Sequence, residues 1–193
     1  MTTYIDEIRI ILASARKKAF NAINTAMVEA YWLIGERIVE QEQHGEDRAV
    51  YGEGILRELS KALTAEFGKG FSYANLRNFR QFYLTYRDDR NCYTLCSNLT
   101  WSHNRLIMRV ENKHARLYYL NEAADQGWSV RTLERNINTF YYHRLLSSNN
   151  KSENIEGDNK LEKQQPEDFI KDPYVFEFLN MPEPITATES DIE

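Results

Sequence analysis

The sequence is poor in cysteine, proline and glycine, and it has no long apolar run. Its 193 residues include 2 Cys, 4 Pro and 8 Gly, too few turn formers for a β-rich fold. A membrane-spanning helix needs about 18 or more consecutive apolar residues. Neither such a run nor an N-terminal secretory signal is present. We therefore expect no membrane contact and a reducing, cytoplasmic location.

Motifs that carry catalysis or bind metal are also missing. There is no phosphate-binding loop, no GxGxxG motif and no HExxH motif. Cys92, Cys96 and His103 fall short of the four ligands that a structural zinc site takes. Ser102 beside His103 suggests a nucleophile and a base, but adjacent residues rarely converge in space. We interpret them as a helix cap and a histidine that is either on the surface or satisfied by hydrogen bonds, and we expect no catalytic residue, metal or cofactor.

Hydrophobic residues recur at helical spacing through most of the chain. The first pattern runs from residue 4 to about 43 and would be on the order of 60 Å long as a helix. Small residues that allow another helix to approach follow one side of it: Ala15, Ala19, Ala22, Ala26 and Ala30. We expect this side to pack into the chain's own core, and a second copy is the alternative.

Five shorter patterns predict further helices, at residues 51–67, 73–87, 103–110, 113–126 and 130–146. Aromatic residues make up 12% of the chain, which supplies enough bulk to fill a core without disulfides or metal. The prediction is an all-α fold: a helical bundle with a long N-terminal helix and helix-turn-helix-like hairpins, followed by a flexible tail.

The most informative stretch joins a helix that ends at Phe67 to one that begins after Ser72. Gly68 and Gly70 can take the positive φ values that end a helix, and Ser72 is a good N-cap. The second helix has an apolar face and a basic polar face, on which we expect Arg77 and Arg80 to be exposed and free of internal ion pairs. Its apolar residues are Leu76, Phe79, Tyr83 and Tyr86, with Phe82 on their flank. This pattern is typical of a helix-turn-helix, and an ordinary helical hairpin is the alternative.

Charge is distributed unevenly along the chain. Residues 67–147 hold 12 basic and 6 acidic residues, net +6, whereas residues 1–66 and 148–193 carry net charges of −3 and −8. Ten of those 12 basic residues are arginine, which suits bidentate contacts to phosphate or guanine. We predict binding to double-stranded DNA, and a merely solvated surface is the alternative. The predicted contact residues are Lys69, Tyr73, Arg77, Arg80, Gln81, Arg87, Arg105, Arg131 and Arg135.

Six runs of sequence resemble the YhcG-like family of bacterial proteins and occur in that family's order. They are YGEGILRELSKAL (51–63), FGKGFS (67–72), LRNFRQFY (76–83), LTWSH (99–103), WSVRTLER (128–135) and DPYVFEFL (172–179). The resemblance implies a helical N-terminal region that precedes a PD-(D/E)XK nuclease-fold domain and acts on DNA. It also implies that the catalytic acids and lysine are absent here, because residues 189–193 resemble the opening of that nuclease domain.

We divide the chain into three parts on these grounds. Residues 1–147 are predicted to form the nucleic-acid-binding domain. Residues 148–168 have hardly any apolar side chains and are predicted to form a flexible linker. Residues 169–193 would hold a short docking segment and the truncated start of a nuclease domain that is not present. The predicted function is DNA binding, or target recognition, for a nuclease by a chain that is not itself an enzyme. The alternative is a protein-interaction or dimerisation module built on the long first helix.

Overall fold

The computed structural model describes residues 2–43, 48–88, 96–149 and 173–179, which form helices joined by turns. The elements are α1 (Thr2–Gln43), α2 (Arg48–Phe67), a 3₁₀ turn (Lys69–Phe71), α3 (Tyr73–Tyr86), α4 (Trp101–Ile107), α5 (Lys113–Gln126), α6 (Val130–Asn138), α7 (Tyr141–Asn149) and α8 (Pro173–Phe178). The predicted all-α fold with a long N-terminal helix is confirmed. None of the described helices is long and apolar enough to cross a membrane.

Two predicted segments lie largely beyond this description. The linker predicted at 148–168 lies outside the described residues except for its first two, which belong to α7. The nuclease start predicted near the C-terminus lies outside them as well. Of the last predicted part, the structure describes the short helix α8 and Leu179.

The core is an aromatic cluster between α1, α3 and α4. Tyr31 stacks on Phe79 with ring centroids 4.0 Å apart, and Trp101 contacts both Phe79 and Phe82 at 5.4 and 5.3 Å. Gly35 allows α1 and α3 to approach this closely, because a Cβ there would lie 2.2 Å from the carbonyl oxygen of Phe79. Gly35 is therefore required by the packing of these two helices.

Helix α1 is divided into an exposed part and a packed part. All of residues 3–19 are exposed, and burial begins around Phe20. The expectation that the alanine line packs into the core is wrong: Ala15, Ala19, Ala22 and Ala26 are exposed, and Ala30 is only half-buried. The reason is rotational, since the core-facing residues, such as Met27 and Tyr31, lie on another side of the helix.

The structure also corrects one predicted helix. A single helix was expected at 130–146, but α6 ends at Asn138 and α7 starts at Tyr141 because Phe140 has a φ of 52°. The Tyr119 hydroxyl bridges this break, donating to the Asn136 carbonyl oxygen (3.1 Å) and accepting from the Tyr142 amide (3.2 Å). A partner on α5 therefore stabilises a break that helical periodicity does not reveal.

Smaller corrections concern α3 and α4. Phe82 is fully buried, whereas Tyr83 is half-buried and donates from its hydroxyl to Glu36 at 3.2 Å. Helix α4 begins at Trp101 and is capped by Thr100, whose hydroxyl accepts from the His103 amide, rather than by Ser102. Neither correction changes which residues form the predicted polar face of α3.

Candidate nucleic-acid interface

A glycine conformation and two hydrogen bonds define the turn before α3. Gly68 has φ 90° and ψ −170°, a conformation open almost only to glycine. Ser72 caps α3 by accepting from the Asn75 amide at 3.4 Å, and the Asn75 side chain donates back to the Gly70 carbonyl oxygen at 2.9 Å. The start of α3 is therefore fixed by hydrogen bonds within the turn.

A polar cleft of about 610 Å³ lies beside α3. Five of the predicted contact residues line it: Tyr73, Arg77, Arg80, Gln81 and Arg105. The same cleft is lined by Arg109 and Asn78, and by two acids from the first two helices, Glu42 and Glu53. The structure thus brings residues of α1, α2, α3 and α4 to one concave, mixed-charge surface.

Arg80 is not a free cation on this surface. Its Nε donates to Glu42 Oε2 at 2.6 Å, and the Glu42 side chain is only 12% exposed. The expectation that Arg80 is exposed without an internal partner is therefore wrong, because α1 ends where it supplies an acid to the basic face of α3. A part-buried pair of this kind orients the guanidinium, and the carboxylate offsets its positive charge.

Three other arginines of the cleft are less compensated. Arg77 and Arg109 are exposed and take no part in the ion pairs found among the described residues. Arg105 is half-buried, and its Nε is a buried donor without an acceptor in the described part of the chain. These guanidiniums are the groups best placed to receive an anion.

Helix α8 holds Arg105 in position. The Tyr174 ring lies 5.0 Å from the Arg105 guanidinium carbon, which is within the range of a cation–π contact. Burial, followed by the nearby charge of Arg109, lowers the pKa of Arg105, and Glu177 opposes this shift. A cationic side chain in such surroundings gains from a bound anion, because the anion offsets both the desolvation and the repulsion.

Four predicted residues do not line the cleft: Lys69, Arg87, Arg131 and Arg135. Lys69 is exposed on the 3₁₀ turn, and exposed Arg87 pairs with its neighbour Asp88 at 3.7 Å. Arg131 and Arg135 are exposed on α6, and their role in binding stays a prediction.

Sequence reasoning missed the acidic side of the cleft. Glu42 stands 38 positions before its partner Arg80, and no local pattern connects them. Arg109 was visible as a basic residue one turn after Arg105, a spacing that places both on one side of a helical segment. That spacing was the available sequence signal for Arg109, whereas no sequence pattern pointed to Glu42 or Glu53 as part of the cleft.

His103 is a structural residue in this fold. It is buried, its Nε2 donates to the Trp128 carbonyl oxygen at 2.9 Å, and its Nδ1 accepts from the Thr100 hydroxyl at 2.6 Å. Burial lowers its pKa to about 4. Of the two alternatives for His103, on the surface or satisfied by hydrogen bonds, the structure shows the second. Among the described residues, no three His, Cys, Asp or Glu side chains lie together as a metal site would require.

Comparison with known proteins identifies relatives of this chain. The family model described as the DUF1016 N-terminal domain matches residues 7–144. A curated protein of Escherichia coli (strain K12) with the name "Putative nuclease YhcG" is 35% identical over 218 aligned positions, which cover 97% of this chain. The chain spans 58% of the length of that relative. No solved structure matches.

Proposed function

Since this chain belongs to the DUF1016 N-terminal domain family, we propose that it binds DNA through the cleft beside α3 and serves a nuclease of the YhcG type. The proposal combines the name of the relative with the character of the cleft. DNA is a polyanion, and sites for it are built from arginines that reach phosphates or guanine edges. The recognition of one target sequence by this domain belongs to the same proposal.

The single observation that carries the proposal is the convergence of Arg77, Arg105 and Arg109 on one cleft without ion-pair partners in the described part of the chain. Three guanidiniums on a concave surface repel one another and are each stabilised by a shared anion. Tyr73 and the Asn78 amide line the same space and could contact a base or a sugar. Arg80 contributes mainly by holding Glu42, so we assign it a positioning role.

The test is a titration of labelled duplex and single-stranded DNA at several salt concentrations. For Arg77→Ala combined with Arg109→Ala, we expect weaker binding to every sequence and a salt slope lower by about 0.9 for each duplex phosphate that the variant no longer neutralises. If one of these arginines reads a base, the loss of binding free energy should be about 1–3 kcal/mol and confined to one position. Binding equal to wild type at matched salt would overturn the proposal.

Two further variants sharpen that titration. Arg9→Ala with Arg37→Ala removes the same number of charges from two exposed arginines that pair on α1, with Asp6 and Glu40, and none of these four residues lines the cleft. This control should change binding much less. Arg131→Ala with Arg135→Ala tests the remaining predicted contacts, and an equally large effect there would extend the interface to α6. Thermal unfolding of all variants checks that each protein is folded.

The second candidate function is a protein-interaction or dimerisation module built on α1. The observation that favours it is a set of large apolar side chains left exposed on that helix: Tyr4 69%, Ile5 51%, Ile8 38%, Ile11 65%, Leu12 53% and Leu33 50%. Exposed apolar surface of this extent marks an interaction site more often than an ordinary solvated surface. Both functions are compatible, because the cleft and these residues lie on different surfaces.

Other parts of the prediction also remain proposals. These are the division into a binding domain, a linker and a docking segment, the absence of catalysis by this chain alone, and its cytoplasmic location. Plasmid cleavage by the purified chain with added metal ions would contradict the proposed absence of catalysis.

A further inference from the structure

An apolar stripe runs along the outward side of α1. We define the outer stripe as Ile5, Ile8, Leu12, Ala15, Ala19 and Ala22, all of which are exposed. The residues that face the core, such as Asn24, Val28 and Tyr31, lie roughly 150° around the helix from the stripe at 3.6 residues per turn. The described part of this chain therefore leaves the stripe uncovered.

The exposed segment also lacks the packing that normally stabilises a helix. Residues 3–19 project from the body with no half-buried side chain among them. Most of the stability of helices in proteins comes from tertiary packing of an apolar face, and the described part of the chain supplies none here. Moving an exposed Ile or Leu side chain from water into an apolar contact is energetically favourable. A partner that covers Ile5, Ile8 and Leu12 would therefore stabilise the helix itself.

We propose that the outer stripe binds the outer stripe of a second copy of this chain, with the two helices antiparallel. Its large residues, Ile5, Ile8 and Leu12, precede its small ones, Ala15, Ala19 and Ala22. In an antiparallel pair the large residues of one copy face the small residues of the other, and the surface complements itself about a two-fold axis. A parallel pair sets large against large, so it cannot pack evenly along its length.

Charge selects the register of this pair. If Leu12 lies beside the two-fold axis, Ile8 meets Ala15 and Ala19 of the other copy, and Glu7 stands opposite Lys18 of the other copy. Glu7 and Lys18 flank the same edge of the stripe but lie about 16 Å apart within one helix, too far for an ion pair. On the other edge, the same register sets Arg9 opposite Arg16 of the other copy, and Asp6, which pairs with Arg9 at 3.0 Å, offsets this repulsion.

The inference rests on the second candidate function and does not depend on DNA binding by the cleft. Its residues are remote in sequence from Arg77 and Arg109, so the two proposals can fail separately. A dimer that does not bind DNA would mean that the cleft proposal has failed. A monomer that binds DNA would mean that the dimer proposal has failed.

The first experiment is sedimentation velocity of the full chain over a range of concentrations. We expect a dimer that dissociates on dilution, and we expect Ile8→Glu to give a folded monomer. The matched control is Ile10→Glu, because Ile10 is more exposed (69% against 38%) but lies off the stripe. A wild-type monomer at tens of micromolar, or equal effects of the two substitutions, would overturn the proposal.

The second experiment tests the antiparallel register by exchanging charges. Glu7→Lys alone and Lys18→Glu alone should each weaken the dimer roughly tenfold, since each creates two like-charge contacts per dimer. The double exchange should restore the wild-type dissociation constant. Lys17→Glu, a charge reversal on the other side of the helix, should leave it unchanged. If the double exchange does not restore the dimer, this register is wrong. If the wild-type chain is monomeric and co-sediments with anionic vesicles, the stripe binds a lipid surface and the second copy is excluded.

Discussion

The two helical hairpins of this protein share a local design and differ in what stands opposite their second helix. In the first, Gly68 (φ 90°) precedes α3 and Ser72 caps it. In the second, Gly127 (φ 62°) precedes α6 and Ser129 caps it by accepting from the Thr132 amide at 3.1 Å. Both second helices carry two arginines, Arg77 and Arg80 in α3 and Arg131 and Arg135 in α6.

The surroundings of these arginines separate the two hairpins. The α3 arginines line a cleft whose other walls come from α1, α2 and α4, with Glu42 bound to Arg80. Arg131 and Arg135 on α6 are exposed, and neither lines that cleft. A basic helix after a glycine turn is therefore insufficient to define a site, because the concave surface is supplied by other elements.

The largest expected effect concerns the turn of the second hairpin. The carbonyl oxygen of Trp128, between Gly127 and Ser129, accepts from buried His103. The folded protein holds His103 neutral with a pKa of about 4, against about 6.5 when unfolded, so the unfolded state binds more protons between these values. Stability should be fully present above pH 6.5 and fall by on the order of 3 kcal/mol as the pH drops to 4.

Urea unfolding at pH 4 to 8 measures this effect. His103→Gln should flatten the pH dependence at a lower overall stability, while His114→Gln, a change at an exposed histidine, should leave the profile unchanged. Amide exchange at low pH should rise more around the second turn than around the first. An unchanged profile in His103→Gln would show that other groups control the acid sensitivity.

The next expected effect is a difference between two arginines. Arg80→Ala should cost roughly 2 kcal/mol of unfolding free energy, because it leaves the largely buried Glu42 carboxylate without its partner. Arg135→Ala on the second hairpin should stay within about 0.5 kcal/mol, as exposed substitutions do. Adding Glu42→Gln to Arg80→Ala should recover part of the stability. Equal costs for Arg80 and Arg135 would mean that the ion pair does not stabilise the first hairpin.

A third expected effect, similar in size to the second, distinguishes the two glycines. Gly127 has left-handed helical angles (φ 62°, ψ 42°), which asparagine tolerates. Gly127→Asn should therefore lower the free energy of unfolding by only a few tenths of a kcal/mol, and by about 1 kcal/mol at most. Gly68 lies in a region that is nearly exclusive to glycine, and Gly68→Asn should cost about 1–3 kcal/mol. Thermal unfolding of the two variants side by side gives the comparison. Similar costs would mean that the first turn relaxes to another conformation.

Most of the helices followed from periodicity and caps. The predicted bounds of the helix at residues 113–126 are those that the structure has, and Ser72 caps α3 as expected. Periodicity failed at Phe140, because the break there depends on the Tyr119 hydroxyl from another helix. Local signals specify an element that is stabilised locally, and they fail where a distant side chain compensates the backbone.

The candidate site was predictable only in part. The arginines and Tyr73 were visible as one face of α3, whereas the opposing Glu42 and Glu53 were not. For the same reason, Arg80 was expected to be free. A sequence displays the charges of one helix face at fixed spacing, but it does not say which distant helix ends beside that face.

The sequence by itself determined the all-α class, the long first helix, the capped turns and the family to which the chain belongs. These depend on residues close together in the chain or on likeness to other sequences. Only the tertiary structure decided which side of α1 faces the core. That choice left the outer stripe exposed and brought Glu42 to Arg80. The rotation of a helix about its axis is set by packing, here by the close approach at Gly35, and an apolar pattern with more than one candidate face does not fix it.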